Sequence, residues 1–286
     1  MLSMQDKICL ITGASSGIGK ATALGLAKLG AQVVLVARDR QHGEAAQAEI
    51  RAASSNPQVD LLLADLSSQK AVRQLASDFT SHYDHLNVLV NNAGIALTKR
   101  AVTDDGLEKV FAVDYLAPFL LTNLLLEALK AGAPARVVNV AGDYHRKASL
   151  HFDDLMSEQD YNGYRANNQA KLALILFTYE LARRLEGTGV TVNALHPGAV
   201  ATDSVSKDPD VPAFSRFMYR LVKPFFQSPE KGAETSIYLA SSPEVEGITG
   251  KYFIKKKAVQ SSPESYDTRI AQRLWETSLK LTGLSN

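Results

Sequence analysis

Five polar side chains in three short stretches of the sequence could carry chemistry. Asn167 and Lys171 lie four positions apart in a helical pattern, so their side chains face the same way. Asp114 lies in an apolar segment, where its carboxylate could pair with Lys171 or end a chain of water molecules. Asp143 and Tyr144 directly follow an apolar run. These residue types can hold a ligand hydroxyl, donate a hydrogen bond or move a proton.

Seven short apolar runs must position these side chains, and helical patterns of ten or more residues separate most of them. The runs cover residues 7–12, 32–36, 59–64, 86–90, 136–140, 190–194 and 250–254. This alternation predicts an α/β fold with a single doubly wound parallel sheet and helices on both faces. Ligands of such sheets bind at the carboxyl ends of the strands, which is where Asp143 and Tyr144 fall.

Composition narrows the class of protein. The length of 286 residues, of which 45% are hydrophobic, fits one domain spanning 1–286. The 31 Lys and Arg residues balance 30 Asp and Glu residues, which argues against nucleic-acid binding. The one cysteine, Cys9, lies in the first apolar run and is expected to be buried. We expect a soluble cytoplasmic protein without a transmembrane segment or a metal site, while peripheral membrane contact stays open.

A glycine-rich turn follows the first predicted strand and opens a predicted helix at 21–29. Glycine permits a tight turn and lets a backbone approach a pyrophosphate closely, while a helix N-terminus offers free N–H groups to phosphate. The sequence therefore predicts a Rossmann-type dinucleotide site. Its expected contacts in this turn are Gly13, Ser15, Ser16, Gly17, Ile18 and Gly19.

The spacing of these glycines resembles that of the short-chain dehydrogenase/reductase family, and three further segments, at 65–66, 91–94 and 196–202, support the resemblance in the family's order. The resemblance covers nearly the whole chain and is strongest to the retinol-dehydrogenase-like and WW-domain-oxidoreductase-like members. It implies further cofactor contacts from Asp65, Leu66, Asn92, Ala93, Gly94, Lys171, Pro197, Gly198, Val200 and Thr202.

The choice of cofactor can be predicted from the end of the second strand. In the family, an acid there accepts a hydrogen bond from the ribose of NAD, whereas a guanidinium pairs with the 2′-phosphate of NADP. This chain has Ala37 at the acidic position and Arg38 next to it, which favours NADP(H). Asp39 follows directly and leaves some room for the ribose contact.

The resemblance also shows that the proton relay of the family is altered. Family members use a Ser, a Tyr, a Lys and an Asn, of which only Lys171 remains. Asn167 stands at the Tyr position, Gly142 at the Ser position and Asp114 at the Asn position. Asparagine does not titrate near neutral pH and glycine has no hydroxyl, so ordinary alcohol–ketone interconversion by the family mechanism is in doubt.

Three functions fit this combination. The first is an atypical NADP(H)-dependent oxidoreductase acting on a hydrophobic small molecule, with Asp114, Asp143, Tyr144 or solvent replacing the relay. The second is a non-redox isomerase, lyase or cyclase in which NADP is a scaffold and Asn167 and Asn168 donate hydrogen bonds. The third is an NADP(H)-binding pseudoenzyme or sensor.

Residues outside the relay complete the expectations. A substrate lid is predicted at about 203–227 and a terminal helix at about 268–281 that packs Trp275 on the domain. Tyr164 precedes Lys171 by two helical turns, or about 10 Å, so it could line the pocket without replacing the missing tyrosine. The resemblance makes a homo-oligomer possible.

Overall fold

The computed structural model describes residues 3–200 and 226–285 and contains one mostly parallel eight-stranded sheet. Its strand order is β3-β2-β1-β4-β5-β6-β7-β8, which is doubly wound about the junction of β1 and β4. This confirms the predicted α/β fold. The strands are β1 (Ile8–Thr12), β2 (Gln32–Ala37), β3 (Val59–Leu63), β4 (Val88–Asn91), β5 (Ala135–Val140), β6 (Val190–His196), β7 (Lys251–Ile254) and β8 (Lys257–Val259).

The last strand, β8, is not among the seven predicted strands. It pairs antiparallel with β7 through a two-residue turn at Lys255 and Lys256. Both lysines have left-handed backbone angles, with φ of 49° and 65°. Hairpin turns of this kind usually carry Asn or Gly, so the lysines gave no turn signal. Strand β8 is also fully exposed and therefore lacks an apolar run.

Helices cover both faces of the sheet. Helices α1 (Gly17–Lys28), α2 (Arg40–Ser54) and α8 (Pro229–Ser241) contribute to one apolar core. The core on the opposite face is built by α3 (Gln69–His82), α4 (Lys109–Phe111), α5 (Ala117–Leu124), α6 (Leu126–Ala131), α7 (Gly163–Arg184) and α9 (Thr268–Thr282).

The apolar runs are continuous because each strand serves both cores. In β1, Ile8 and Leu10 pack in the second core, whereas Cys9 and Ile11 pack in the first. Successive side chains of a strand point to opposite faces, so a strand covered on both sides needs apolar residues at every position. The expected burial of Cys9 is confirmed, and this burial raises the pKa of its thiol to about 12.

The predicted terminal helix is present as α9, and α8 precedes it in the chain. Ser228 caps α8 by accepting a hydrogen bond from the backbone N–H of Lys231, and Pro229 occupies the first turn. Helix α9 packs Trp275 against Phe119 and Phe177, with ring centroids 5.0 and 6.0 Å apart. The predicted packing of Trp275 on the domain is therefore confirmed.

The predicted lid at 203–227 lies outside the described residues except for Phe226 and Gln227, and Thr202 lies outside them as well. Among the helices in 3–200 and 226–285, none has the length and apolar character needed to cross a membrane.

Candidate active site

The glycine-rich turn after β1 packs tightly against the loop after β4. Asn92 Nδ2 donates a hydrogen bond to the carbonyl of Thr12 at 2.8 Å, and Ala93 N donates to Thr12 Oγ1 at 3.0 Å. A Cβ at Gly19 would stand 2.4 Å from both Asn92 Nδ2 and the carbonyl oxygen of Gly13. Glycine is therefore required at position 19 for close packing, and the side chain of Asn92 holds the turn in place.

The N-terminus of α1 is shaped to receive an anion. Gly17 has φ of 56°, and a Cβ added there would meet nothing within 4 Å, so this face of the turn is open. Ser16 precedes the helix without capping it through its side chain. The first N–H groups of α1 are thus left for a phosphate, and together with the helix dipole they fit the pyrophosphate of a dinucleotide. Ser15 lies half-buried in the same turn.

The segment after β6 meets the same turn. A Cβ at Gly232 of α8 would stand 2.5 Å from Val200 and 3.2 Å from Ile18, so these two side chains lie together over α8. Gly198 has φ of 91° and lies against the side chain of Gln227. Pro197 is half-buried beside it. The structure therefore brings the predicted contacts from the first and sixth strands to one edge of the sheet.

Arg38 and Asp65 lie near each other, just after strands β2 and β3 end. Burial acts to raise the pKa of Asp65, but hydrogen bonds from Ser67 and the positive charge of Arg38 hold that pKa below its usual value. Asp39 is used differently, because its carboxylate accepts a hydrogen bond from the backbone N–H of His42 at 2.8 Å and caps α2. The guanidinium of Arg38 is exposed at the strand end. Leu66 packs half-buried against the nearby core.

Three of the candidate catalytic side chains meet around Gly94 and Ile95. Lys171 Nζ lies 2.8 Å from Asp114 Oδ2, and the side chains of the two residues are 12% and 1% exposed. Asp114 Oδ1 accepts a hydrogen bond from Ile95 N at 2.8 Å, and Asn167 Nδ2 donates to the carbonyl of Ile95 at 3.3 Å. The expected pairing of Asp114 with Lys171 is therefore present in the structure.

Burial raises the pKa of the Asp114 carboxyl above its usual value, and the nearby Lys171 ammonium acts in the opposite direction. A Cβ at Gly94 would stand 3.1 Å from Asp114 Oδ2 and 3.3 Å from Lys171 Nζ. Glycine at position 94 thus leaves room for the ion pair beside the loop after β4.

Asp114 occupies an unusual turn of its helix. Between α4 and α5, residues Ala112–Leu116 form a π-helical turn in which Ala117 N bonds to the carbonyl of Ala112. Pro118 has no N–H to offer the carbonyl of Asp114 four residues earlier, so the regular α-helical bond cannot form there. Such turns often occur at functional sites, and Pro118 is the sequence signal that could have predicted this one.

Gly142 adopts a backbone conformation that a serine could not share. Its φ of 121° and ψ of 173° lie in a region populated almost only by glycine. Two donors hold its carbonyl oxygen, His145 Nδ1 at 2.8 Å and Tyr252 Oη at 3.0 Å. A serine at position 142 would therefore strain the backbone in this conformation.

Two further residues, His145 and Tyr252, contact Gly142, and no sequence motif indicated Tyr252. His145 is fully buried, its ring centroid lies 4.8 Å from that of Tyr252, and burial lowers the pKa of its imidazole. Tyr252 lies on β7, more than a hundred residues from Gly142, so only the sheet order brings the two together.

Asp143 and Tyr144 lie in the 3-10 turn after β5, which packs against α7. Asp143 Oδ1 accepts a hydrogen bond from Arg146 Nε at 2.6 Å. The ring of Tyr144 meets that of Tyr164 edge to face, with centroids 5.9 Å apart and an interplanar angle of 86°. Both tyrosines are exposed, so Tyr164 lies at the surface beside Tyr144. Among the described residues, no group of three or more His, Cys, Asp or Glu side chains could hold a metal ion.

Comparisons with known proteins show the family of this chain. The family model for short chain dehydrogenases matches residues 7–211. Human retinol dehydrogenase 14 is 44% identical over 295 residues, covering 98% of this chain and 88% of that protein. Mouse retinol dehydrogenase 13 is 43% identical over 290 residues, covering 99% and 86%.

Solved structures show the same fold. The crystal structure of an uncharacterized protein from Mycobacterium paratuberculosis has a TM-score of 0.80 and 30% identity, covering all of this chain and 96% of that one. The NADP active-site complex of Pseudomonas aeruginosa RhlG has a TM-score of 0.69 and 27% identity, covering 92% and 98%. The chain therefore belongs to the short-chain dehydrogenase family, among its retinol-dehydrogenase-like members, and is an oxidoreductase of a family that binds nicotinamide cofactors.

Proposed function

We propose that this protein is an NADP(H)-dependent oxidoreductase that acts on a hydrophobic small molecule without the usual Ser/Tyr proton relay. The observation that carries the proposal is the contrast between an open anion site at Gly17 and two relay positions, Gly142 and Asn167, whose side chains have no titratable proton. The close packing of the glycine-rich turn against the loop after β4 supports the binding of a nicotinamide cofactor. The missing relay supports a different source for the proton.

Arg38 supports NADP(H) over NAD(H). Its guanidinium lies at the end of β2, where the 2′-phosphate of NADP would be bound, and it can form paired hydrogen bonds to a phosphate. Asp39 is committed to capping α2, so its carboxylate is a weaker candidate for the ribose of NAD. The NADP complex of a related fold supports the same choice.

The residues around Lys171 would orient the cofactor. When bound, the nicotinamide ring supplies or accepts a hydride. Lys171 would bind the adjoining ribose, and Asp114 would fix the position of the ammonium and compensate its charge. Asn167 would contribute by steadying the loop at Ile95, because its amide already donates to that carbonyl.

A hydrophobic substrate is supported by the relatives and by the surface beside Gly142. Several similar proteins are named for retinol, which is a hydrophobic alcohol. Tyr144 and Tyr164 present two aromatic rings at the surface next to Gly142. A cytoplasmic location stays a prediction, which the buried and unpaired thiol of Cys9 supports.

The test is the loss of NADPH absorbance with a panel of aldehydes, ketones, enones and cyclic imines. We expect the wild type to consume NADPH with at least one class, and Lys171→Ala to lose about 100-fold or more in kcat/KM. Lys130→Ala, an exposed lysine of α6 outside the site, is the matched control and should match the wild type.

Two other outcomes would replace the proposal. Product formed at constant NADPH would indicate a non-redox isomerase, lyase or cyclase. Tight NADPH binding without turnover of any acceptor would indicate a nucleotide-binding sensor.

A further inference from the structure

Tyr144 and Tyr164 form an exposed aromatic pair whose hydroxyl groups have no function in the fold. The two side chains are 55% and 51% exposed, although their rings touch edge to face. Within the described residues, neither hydroxyl takes part in a hydrogen bond. Large aromatic side chains are mostly buried on average. The exposed contact between the rings of Tyr144 and Tyr164 at the carboxyl edge of the sheet therefore needs an explanation.

The ring of Tyr144 lies beside Gly142, the residue at the serine position of the family. A Cβ added at Gly142 would find one side-chain atom within 4 Å, and this atom is Tyr144 Cδ2 at 3.9 Å. The space beside Gly142 is therefore open, and the ring of Tyr144 lies at its edge.

The other titratable groups near this space are engaged or buried. The carboxylate of Asp143 is paired with Arg146, and that of Asp114 is paired with Lys171. The fully buried His145 uses its Nδ1 hydrogen to donate to the carbonyl of Gly142, and its Nε2 is shut off from solvent. Tyr144 differs from these groups, because it is exposed and its hydroxyl makes no hydrogen bond within the described residues. Its neighbour Tyr164 shares both properties but does not contact Gly142 in the way that Tyr144 does.

We propose that Tyr144 Oη donates the proton to the substrate oxygen, and that Tyr164 positions the Tyr144 ring. This inference rests on the proposed function. In reduction of a carbonyl, the carbon receives the hydride that NADPH supplies, the electrons of the C=O π bond move to oxygen, and oxygen takes the proton from Tyr144. The substrate gains two electrons and two hydrogens, and NADPH is oxidised to NADP⁺.

The exposure of Tyr144 allows the residue to be regenerated. After the transfer, the phenolate takes a proton from solvent, which reaches a side chain that is 55% exposed. In the reverse direction, the phenolate removes the proton of the alcohol. A phenol can therefore supply the step that Asn167 and Gly142 cannot.

Tyr164 contributes through its ring alone. The edge-to-face contact at 5.9 Å limits the rotation of the Tyr144 ring, and such contacts contribute about 0.5–1.5 kcal/mol. Tyr164 also lies on α7, the helix that carries Lys171, so the pair is anchored to the same element as the cofactor-binding lysine.

The test compares Tyr144→Phe, Tyr164→Phe and Tyr164→Ala with the wild type in NADPH consumption with the acceptor that the wild type turns over best. We expect Tyr144→Phe to lower kcat by about 10²- to 10⁴-fold, the usual contribution of a general acid. Its NADPH Kd should equal that of the wild type, because the variant loses only a hydroxyl that lies outside the predicted dinucleotide site.

The conservative variant Tyr164→Phe should preserve the positioning function of Tyr164. Tyr164→Phe keeps the ring and should retain wild-type kcat, whereas Tyr164→Ala should lower kcat by about 3- to 10-fold with little change in KM. Tyr266→Phe is the matched control, since Tyr266 is 52% exposed but stacks on Tyr179. It should behave as the wild type.

The outcomes separate this inference from the proposed function. Wild-type turnover with an unchanged kcat in Tyr144→Phe would overturn the role of Tyr144 while the oxidoreductase proposal stands. Equal loss in Tyr164→Phe and Tyr164→Ala would overturn the positioning role. If the wild type consumes no NADPH with any acceptor, the proposed function fails and the proton-donor role falls with it.

Discussion

The two halves of the carboxyl edge of the sheet differ in how far they follow their family. On the nucleotide half, Gly13, Gly17 and Gly19 keep the spacing, and the geometry explains each requirement through a close contact or an open face. On the chemical half, the relay residues differ from those of the family, and Gly142 has a backbone conformation that favours glycine. In the proposed function, nucleotide binding and proton transfer therefore depend largely on different residues.

The most severe test of the nucleotide half is Gly19→Ala. Because the new Cβ would stand 2.4 Å from Asn92 Nδ2 and the Gly13 carbonyl, the turn must open, and we expect the NADPH Kd to rise at least about 100-fold. The measurement is NADPH fluorescence titration.

Gly106→Ala provides the control for that change. Gly106 has φ of 78° with nothing within 4 Å of an added Cβ, so it suffers only backbone strain of about 1 kcal/mol. Its NADPH affinity should equal that of the wild type. An unchanged NADPH affinity in Gly19→Ala would contradict the requirement for glycine at position 19 of the turn.

The next largest effect concerns the ion pair that joins the two halves. Asp114→Ala removes the carboxylate partner of Lys171, whose side chain is only 12% exposed, and we expect a loss of about 3 kcal/mol in the free energy of unfolding. Asp114→Asn keeps a hydrogen-bond acceptor for Ile95 N and should lose less. Urea denaturation measures both, and equal stability of all three proteins would show that the pair contributes nothing.

Arg38→Gln should weaken NADPH binding by about 10- to 100-fold and leave NADH binding nearly unchanged. The reason is the lost charge-assisted hydrogen bonds to the 2′-phosphate. Asp39→Ala is the control, because it removes the cap of α2 without changing the choice of cofactor. A similar loss for NADH and NADPH in Arg38→Gln would contradict the assignment.

The smallest effect is a pH dependence of stability from the chemical half. Burial lowers the pKa of His145 and of His196, so the unfolded chain binds more protons than the folded one below the ordinary pKa of 6.5. Stability should be constant with respect to these groups above about pH 7 and should fall as pH drops through their lowered pKa values. Each histidine can add a slope of at most about 1.4 kcal/mol per pH unit.

Thermal melting at pH 8 and pH 5.5 measures this slope. His145→Asn should reduce it, since the amide can still donate to the Gly142 carbonyl and does not titrate. His85→Asn, at a half-buried loop histidine outside the chemical half, serves as the control. An identical pH profile in His145→Asn and the wild type would show that His145 does not contribute to it.

Sequence reasoning predicted the sheet well because buried parallel strands leave an unbroken apolar signal. Strand β2 was expected at 32–36 and is observed at Gln32–Ala37, while exposed β8 left no such signal. The contact of Asp114 with Lys171 could be expected because both positions are tied to family motifs. The conformation of Gly142 could not, because it depends on hydrogen bonds from His145 and from Tyr252 on a distant strand.

The fluorescence of Trp275 can report whether the helices next to the chemical half are packed together. It is the one tryptophan of the sequence, it is 7% exposed, and it lies between α5 and α7 with the guanidinium of Arg184 4.1 Å above its ring. Its emission should be blue-shifted while α9 is docked and should move to longer wavelength when that helix detaches. Intrinsic fluorescence therefore reports whether α9 is packed against α7, the helix that carries Lys171, without any introduced label.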